Sequence, residues 1–540
     1  MWCLNSSKLY IMRNISKIFI GISIVLFSCS DAQEQVVDKQ PNIILIMADD
    51  MGYSDIGCYG GEIETPNLDA LAENGVRFSQ FYNAARCCPT RAALLTGLYP
   101  HQAGVGKMIS HSERKAFSPY QGYLASHSVT MAEVLKSSGY DTYMSGKWHV
   151  GEFRPHWPVD RGFDQHYGLI SGAMNYFNIE KGKNKNVNRE FAINDSLIVP
   201  QEENFYATDA FTDKAVEMLK THQGKSNPFF LYLAYNAPHW PLHAHEKDIR
   251  KYLGKYMKGW DHLRKTRYES LLETGIINER NTELSPSHPE AADWDSLSEE
   301  KKQEMDRKMA VYAAQVECLD RNIGRLIDYL KGTGEFDNTV IMFLSDNGAS
   351  HEQGALGKNF RKDLTGEIGT EDSYHSYGLS WANASNTPFR LFKVFNHEGG
   401  IATPFIVHWP RGIKEKGSIN HQVAHVMDLL PTFIDLTGAN YPDTVNGIPI
   451  LPLQGMSLLS FLEGNELVER TLYWEHENNR ALRKGNWKLV KSRDKDNWEL
   501  YDMSTDRTEL NNLFETHRKK ADSLLMMYRK WAEDIGVSGY

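Results

Sequence analysis

The chain has 540 residues, 41% apolar and 24% charged, which suits a folded protein with a sizeable core and excludes a disordered or collagen-like chain. Lys and Arg number 59 against 69 Asp and Glu, so the net charge of −10 offers no basic field, and no nucleic acid is expected as a partner. Six cysteines (Cys3, Cys29, Cys58, Cys87, Cys88 and Cys318) are too few to staple a chain of this length, so any role for them would be chemical.

The first predicted element is an export signal. Arg13 and Lys17 precede an apolar run at 18–27 that is too short to span a bilayer and has the form of a secretory leader, with Met12 a candidate start. Leu26-Phe27-Ser28-Cys29 resembles a bacterial lipobox. That reading makes 1–29 a signal peptide, Cys29 the point of a lipid anchor, and the protein a periplasmic or outer-membrane lipoprotein of a Gram-negative-type bacterium. Ser30-Asp31-Ala32 is a competing cleavage site that would release a soluble secreted protein.

Residues 38–460 read as one α/β domain, because short apolar runs alternate with amphipathic helical stretches. NIILIM at 42–47, FFLYLA at 229–234 and TVIMFL at 339–344 have the continuous apolar character of buried strands. Tyr312, Val316, Leu319, Ile323, Leu326, Ile327 and Leu330 form a one-face helical stripe that should pack on the sheet. The charged stretch 251–307 shows no strand pattern and is expected as an excursion over the surface. Residues 461–540 read as a smaller α+β unit: two neighbouring strands at 486–490 and 498–501, then a helix whose stripe of Ala521, Leu524, Leu525, Tyr528, Trp531 and Ala532 suits core packing.

Each strand of the first unit is followed at once by polar residues. Asp49-Asp50 follow the first, Asn236-Ala237-Pro238-His239 the second and Ser345-Asp346-Asn347-Gly348 the third, and strand carboxyl ends are where open α/β sheets bind ligands. Asp49, Asp50, Asp346 and Asn347 supply oxygen alone, which suits Ca²⁺, or Mg²⁺, rather than Zn²⁺. Either pair by itself would also serve as an ordinary helix cap or turn. His239, His243 and His245 suggest zinc on paper, but no cysteine partner lies near and the spacing matches no common structural site.

The motif that decides between these readings is Cys87-Cys88-Pro89-Thr90-Arg91, followed by Ala92-Ala93-Leu94-Leu95-Thr96-Gly97. It resembles the C-x-P-x-R-x-x-x-L-T-G motif of type I sulfatases, whose leading Cys becomes formylglycine. Register selects Cys87, which stands two before Pro89 and four before Arg91, and leaves Cys88 a small spectator. Pro89 suits a first helical turn, so Cys87 should sit just before a helix whose free N–H groups hold an anion. A hydrated aldehyde at position 87 would present two hydroxyls. One, bound to the metal, would attack sulfur, and deprotonation of the other would expel sulfate and restore the aldehyde.

The resemblance extends from Pro41 to the C-terminus and implies an alkaline-phosphatase-like mixed sheet flanked by helices, with a small C-terminal antiparallel sheet and helix. Gly146-Lys147-Trp148-His149 matches the family's G-K-W-H, so Lys147 would bind sulfate and His149 would be the base for aldehyde regeneration. Ala237-Pro238-His239 matches A-P-H, making His239 the acid for the leaving oxygen. Arg390-Leu391-Phe392-Lys393 matches the lysine-bearing segment, so Lys393 would neutralise the transferred group alongside His239. Position 87 would join Asp49, Asp50, Asp346 and Asn347 around the metal. One departure stands out: Ala402 occupies the place where many members carry Arg in E-G-G-x-R.

What the resemblance implies is a sulfuric ester hydrolase acting on sulfated polysaccharide or oligosaccharide fragments, with aryl sulfates as artificial substrates and a formylglycine-generating maturase as a partner. The alternatives are a phosphonate monoester or phosphodiester hydrolase with the same activated aldehyde, and an inactive glycan-binding protein. The second would have no physical need for so many clustered charges.

Overall fold

In the computed structural model the apolar run beginning at Asn42 forms β1 (Asn42–Ala48), buried along its whole length, as a strand covered on both faces must be. The structure describes residues 40–108, 119–183, 189–462, 465–466 and 468–539. The expected export segment and Cys29 lie outside them.

Among the described residues nine further strands join β1 in one sheet. They are β2 (Val76–Phe78), β3 (Asp141–Gly146), β4 (Gln165–Leu169), β5 (Phe191–Ile193), β6 (Ser196–Leu197), β7 (Phe229–Ala234), β8 (Thr339–Ser345), β9 (Phe405–His408) and β10 (Ser418–Asn420). Their spatial order is β10-β2-β9-β8-β1-β7-β3-β4-β5-β6. The five central strands, β8 to β4, run parallel; β9 is antiparallel to both neighbours, and β5 and β6 fold back at the other edge. This is the expected mixed sheet.

Register matters more to function than strand count. Ala48 lies opposite Ser345, Met47 opposite Ala234, and Gly146 opposite Ala234. The four central strands β8, β1, β7 and β3 therefore stop level, and the residues after them emerge side by side.

Helices α1 (Pro66–Glu73), α2 (Cys87–Thr96), α3 (Ala207–His222), α4 (Gly259–Glu273) and α5 (Glu299–Thr333) flank this sheet. The stripe expected at 312–330 is buried on α5, which packs against α1 and α3. The helix begins well before the stripe: the Ser298 hydroxyl accepts from Lys301 N–H, Glu299 and Glu300 sit in the first turn, and Gly334 closes the other end at φ 75°. The stretch 251–307 thus contains α4 and the first turns of α5, and although most of it lies at the surface, part of it folds inward. On α4 the guanidinium of Arg267 is buried, with Nη1 2.6 Å from Asp55 Oδ1 and Nε 2.7 Å from Glu62 Oε2. Paired charges fold inward where unpaired ones could not.

The C-terminal part is an antiparallel meander, β11 (Thr471–His476), β12 (Asn479–Lys484), β13 (Trp487–Lys491) and β14 (Glu499–Asp502), covered by α6 (Arg518–Asp534). The expected strand pair is present, with Leu489 opposite Leu500. On α6, Ala521, Leu524, Tyr528, Trp531 and Ala532 are buried while Leu525 is half-exposed, and the Trp531 ring stacks on Tyr473 at 4.9 Å.

Candidate active site

Because the central strands end level, their following residues converge. Asp346 and Asn347 come from β8, Asp49 and Asp50 from β1, His239 from the turn after β7, and Lys147 and His149 from β3. Backbone bonds extend the ladder past the strand ends: Lys147 N–H donates to Ala234 O (2.7 Å), Asp49 N–H to Ala237 O (2.9 Å) and Asp346 N–H to Ala48 O (3.1 Å). Gly146 permits this closeness. Its φ is 118°, and a Cβ there would lie 1.9 Å from Ala234 O. Asp50 and His149 adopt φ of 66° and 58° without being glycine, local strain of ~1–3 kcal/mol each that is typical of functional positions.

Cys87 is the first residue of α2 rather than the one before it, since Arg86 caps the helix in extended conformation. Pro89 still falls in the first turn, where its missing N–H removes no bond. All ten residues of α2 are buried. Helical side chains lean toward the N-terminus, so Arg91 reaches back to the strand ends. Its Nη2 lies 2.9 Å from Asp346 Oδ2 and 3.6 Å from Asp49 Oδ2, and Nη1 donates to Lys147 O at 2.8 Å.

The remaining cations follow the same pattern. Lys147 Nζ lies 2.5 Å from Asp49 Oδ2, and Lys393 Nζ lies 2.8 Å from Asp50 Oδ2 and 3.3 Å from His239 Nε2. Nδ1 of His239 is 2.6 Å from Trp240 O. A carbonyl only accepts, so Nδ1 carries the proton and Nε2 turns its lone pair to Lys393. Burial first, then Lys393 and Lys147, holds the His239 imidazole well below its usual range. A hydrogen bond from Cys88 draws the Cys87 thiol well down, helped by Lys147 and His149 against burial. His149 is lowered chiefly by burial, and Gly172 leaves room for its ring, since a Cβ there would lie 2.5 Å from Nε2. Every residue singled out from the sequence, Asp49, Asp50, Cys87, Arg91, Lys147, His149, His239, Asp346, Asn347 and Lys393, lies in this one buried assembly.

The other histidines scatter. His243 Nε2 meets Ser373 O at 2.8 Å, His245 faces Asp209, His397 Nε2 meets Glu499 at 2.9 Å, and His408 packs beside Phe336. The sequence reading missed Glu352, which sits in a polar loop without periodicity. Its carboxylate accepts from Trp240 Nε1 and faces Arg86 Nη2 at 3.5 Å. Although burial opposes it, Lys393 and Arg86 hold that carboxyl at about 2. Tyr232, whose hydroxyl is 3.4 Å from Arg91 Nη1, was hidden inside a strand.

Ala402 leaves no vacancy of charge. The buried Glu398 carboxylate takes Lys488 Nζ at 2.8 Å, the Tyr82 hydroxyl at 2.8 Å and Arg507 at 3.6 Å. Two of these three partners, Lys488 and Arg507, come from the C-terminal part.

The donor set fits a divalent metal ion. Asp49 Oδ1 and Asn347 Oδ1 are buried and have no hydrogen-bond partner among the described residues. Burial and the neighbouring Asp346 push the Asp49 carboxyl well above its ordinary range, and burial likewise raises Asp346. Crowded carboxylates with idle oxygens are what a hard cation relieves.

A parallel-centred α/β sheet whose strand ends bear carboxylates, with a cysteine opening a buried helix beside them, defines a class of ester hydrolases in the alkaline phosphatase superfamily. The family model for sulfatases matches residues 41–439, and the model for the C-terminal part of N-sulphoglucosamine sulphohydrolase matches 389–531. The chain belongs to the sulfatase family and is a sulfuric ester hydrolase. It is 38% identical to an uncharacterized sulfatase of Schizosaccharomyces pombe, covering 93% of this chain and 95% of that one. Against an arylsulfatase of Klebsiella aerogenes the identity is 36%, covering 81% and 95%. Among solved structures, Ps i-CgsB in complex with k-i-k-neocarrahexaose superposes with a TM-score of 0.67 at 27% identity, over 91% of this chain and 93% of that one.

Proposed function

We propose that the protein releases sulfate from sulfated oligosaccharide or polysaccharide fragments, with Cys87 converted by a maturase to formylglycine. The observation that carries this reading is the position of Cys87, first in a buried helix whose Arg91 is locked onto Asp346. Conversion would supply a hydrated aldehyde as the oxygen nucleophile. Asp49, Asp50, Asp346 and Asn347, with position 87, would hold Ca²⁺, or Mg²⁺, which supplies Lewis acidity there.

The chain's own groups account for the rest. Arg91, Lys147 and Lys393 set three fixed positive charges against a sulfate monoanion in a dry site, where they act most strongly on developing charge. Lys393 Nζ, which faces the His239 Nε2 lone pair at 3.3 Å, would carry the proton offered to the departing alkoxide oxygen, with His239 beside it. His149, kept neutral by burial, can accept a proton from a hydroxyl at position 87.

A sugar leaving group is supported by the likeness to a structure solved with a carrahexaose. Export and lipidation at Cys29, placing the enzyme in the periplasm or outer membrane, rest on the leader and lipobox residues. Mass spectrometry of the Cys87 peptide should show thiol replaced by aldehyde, Cys87→Ala should abolish sulfate release from an aryl sulfate, and a screen of sulfated oligosaccharides should return the natural class. Full activity with an intact thiol would refute the mechanism, and release of phosphate in preference to sulfate from matched esters would refute the substrate class.

A further inference from the structure

Beside the oxygen-lined cluster lies a second set of donors with opposite chemistry. Sγ of Cys87, Sγ of Cys88 and a ring nitrogen of His149 all lie within 4.8 Å of one another, and all three side chains are buried. Cys88 Sγ is also 3.6 Å from Sδ of Met108, which puts a thioether next to this thiol. The His149 ring is buried, and its Nδ1 has no hydrogen-bond partner among the described residues. Among the described residues the cysteines form no disulfide.

We propose that the thiol form of this protein binds one Cu(I) ion between Cys87 Sγ, Cys88 Sγ, Met108 Sδ and His149. Two thiolates, a thioether and an imidazole form a soft set that selects Cu(I), because zinc sites draw on thiolate, imidazole and carboxylate rather than thioether, and calcium needs oxygen. Charge agrees. Two thiolates with Cu⁺ carry a net −1, which suits a site at the positive end of α2 with Lys147 nearby. Binding releases the thiol protons to solvent.

The consequence concerns maturation. Conversion of Cys87 to an aldehyde removes one of three sulfur donors, so conversion should weaken copper loading as the loss of Cys88 or Met108 does. Cys88 is then more than a spectator: it makes the unconverted chain a copper ligand. The inference needs only the geometry of the thiol form, so it stands or falls apart from the proposed catalytic mechanism.

The test uses full-length protein made without a maturase, with the thiol at position 87 verified by peptide mass and Cys3 and Cys29 replaced by Ser in every variant. Anaerobic titration against the Cu(I)–bicinchoninate complex reads copper withdrawal as loss of colour. One equivalent should be withdrawn. Cys88→Ser and Met108→Leu should each weaken binding by at least the roughly tenfold that even an outer-sphere change costs a metal site. Cys58→Ser and Cys318→Ser should leave it unchanged, and binding by the converted protein should be weakened by at least as much as by Cys88→Ser. No uptake by the thiol form, undiminished uptake by both Cys88→Ser and Met108→Leu, or equal uptake by converted protein would overturn the proposal.

Discussion

Lys393 Nζ stands 3.3 Å from His239 Nε2, and the Nδ1 bond to Trp240 O directs the His239 lone pair at it. On the proposed mechanism the two side chains would act on one oxygen as a unit. Lys393→Ala and His239→Ala should each lower kcat/KM for an aryl sulfate by about 10²- to 10³-fold. Together they should cost little more than the worse single change, because residues that share a task are not additive. Steady-state kinetics on the four proteins decides it, and multiplicative losses would mean separate roles.

The idle oxygens of Asp49 and Asn347 predict that Ca²⁺ stabilises the folded chain. At about 100 times its Kd the gain should be ~2.7 kcal/mol, read as a rise in Tm. Asp346→Asn should abolish it. Since burial raises the Asp49 and Asp346 carboxyls in the metal-free protein, protons compete with the metal and its affinity should increase as pH rises. Calorimetric titration at several pH values checks the sign.

How much of this was legible beforehand follows from the physics of each element. Buried parallel strands must be apolar throughout, so β1, β7 and β8 were plain in the sequence, and with them the acids that follow. The motif opening at Cys87 carried its own register. The buried face of α4 was not legible, because Arg267 reads as solvated until Asp55 and Glu62 are placed around it. Glu352 was missed for a related reason: its partners Arg86 and Trp240 lie far away in the chain. Long-range charge pairing leaves no periodic trace. The N-terminal turns of α5 failed differently, since an exposed charged turn has a cap at Ser298 but no apolar stripe.

Lys488 predicts a large stability loss. Its Nζ is 2.8 Å from both Glu398 Oε1 and Glu509 Oε1, and all three side chains are fully buried. Removing the cation strands two carboxylates in a dry interior, where breaking a buried pair costs ~3–5 kcal/mol. Lys488→Met should lower the urea midpoint accordingly, and the further change Glu398→Gln should recover part of the loss. A neutral effect of Lys488→Met would mean that Arg507, 3.6 Å from Glu398, carries the charge balance alone.

Asp320 predicts a pH-dependent term away from the active site. From α5 its carboxylate caps the start of α1, accepting from Leu68 N–H at 2.8 Å and from Asn67 N–H at 3.2 Å. Burial, despite these bonds, raises its carboxyl from 3.8 to about 6. Between those values the folded chain holds a proton that the unfolded chain has released, so this group's contribution to stability falls as pH rises through the window. The difference, about two pH units at 1.36 kcal/mol each, is ~3 kcal/mol. Asp320→Asn cannot titrate. Measured by urea unfolding, the stability of the variant relative to the parent should therefore climb by about that amount between about pH 4 and about pH 7. A difference that stays flat over this range would show that α1 is capped by a carboxylate with an ordinary acidity.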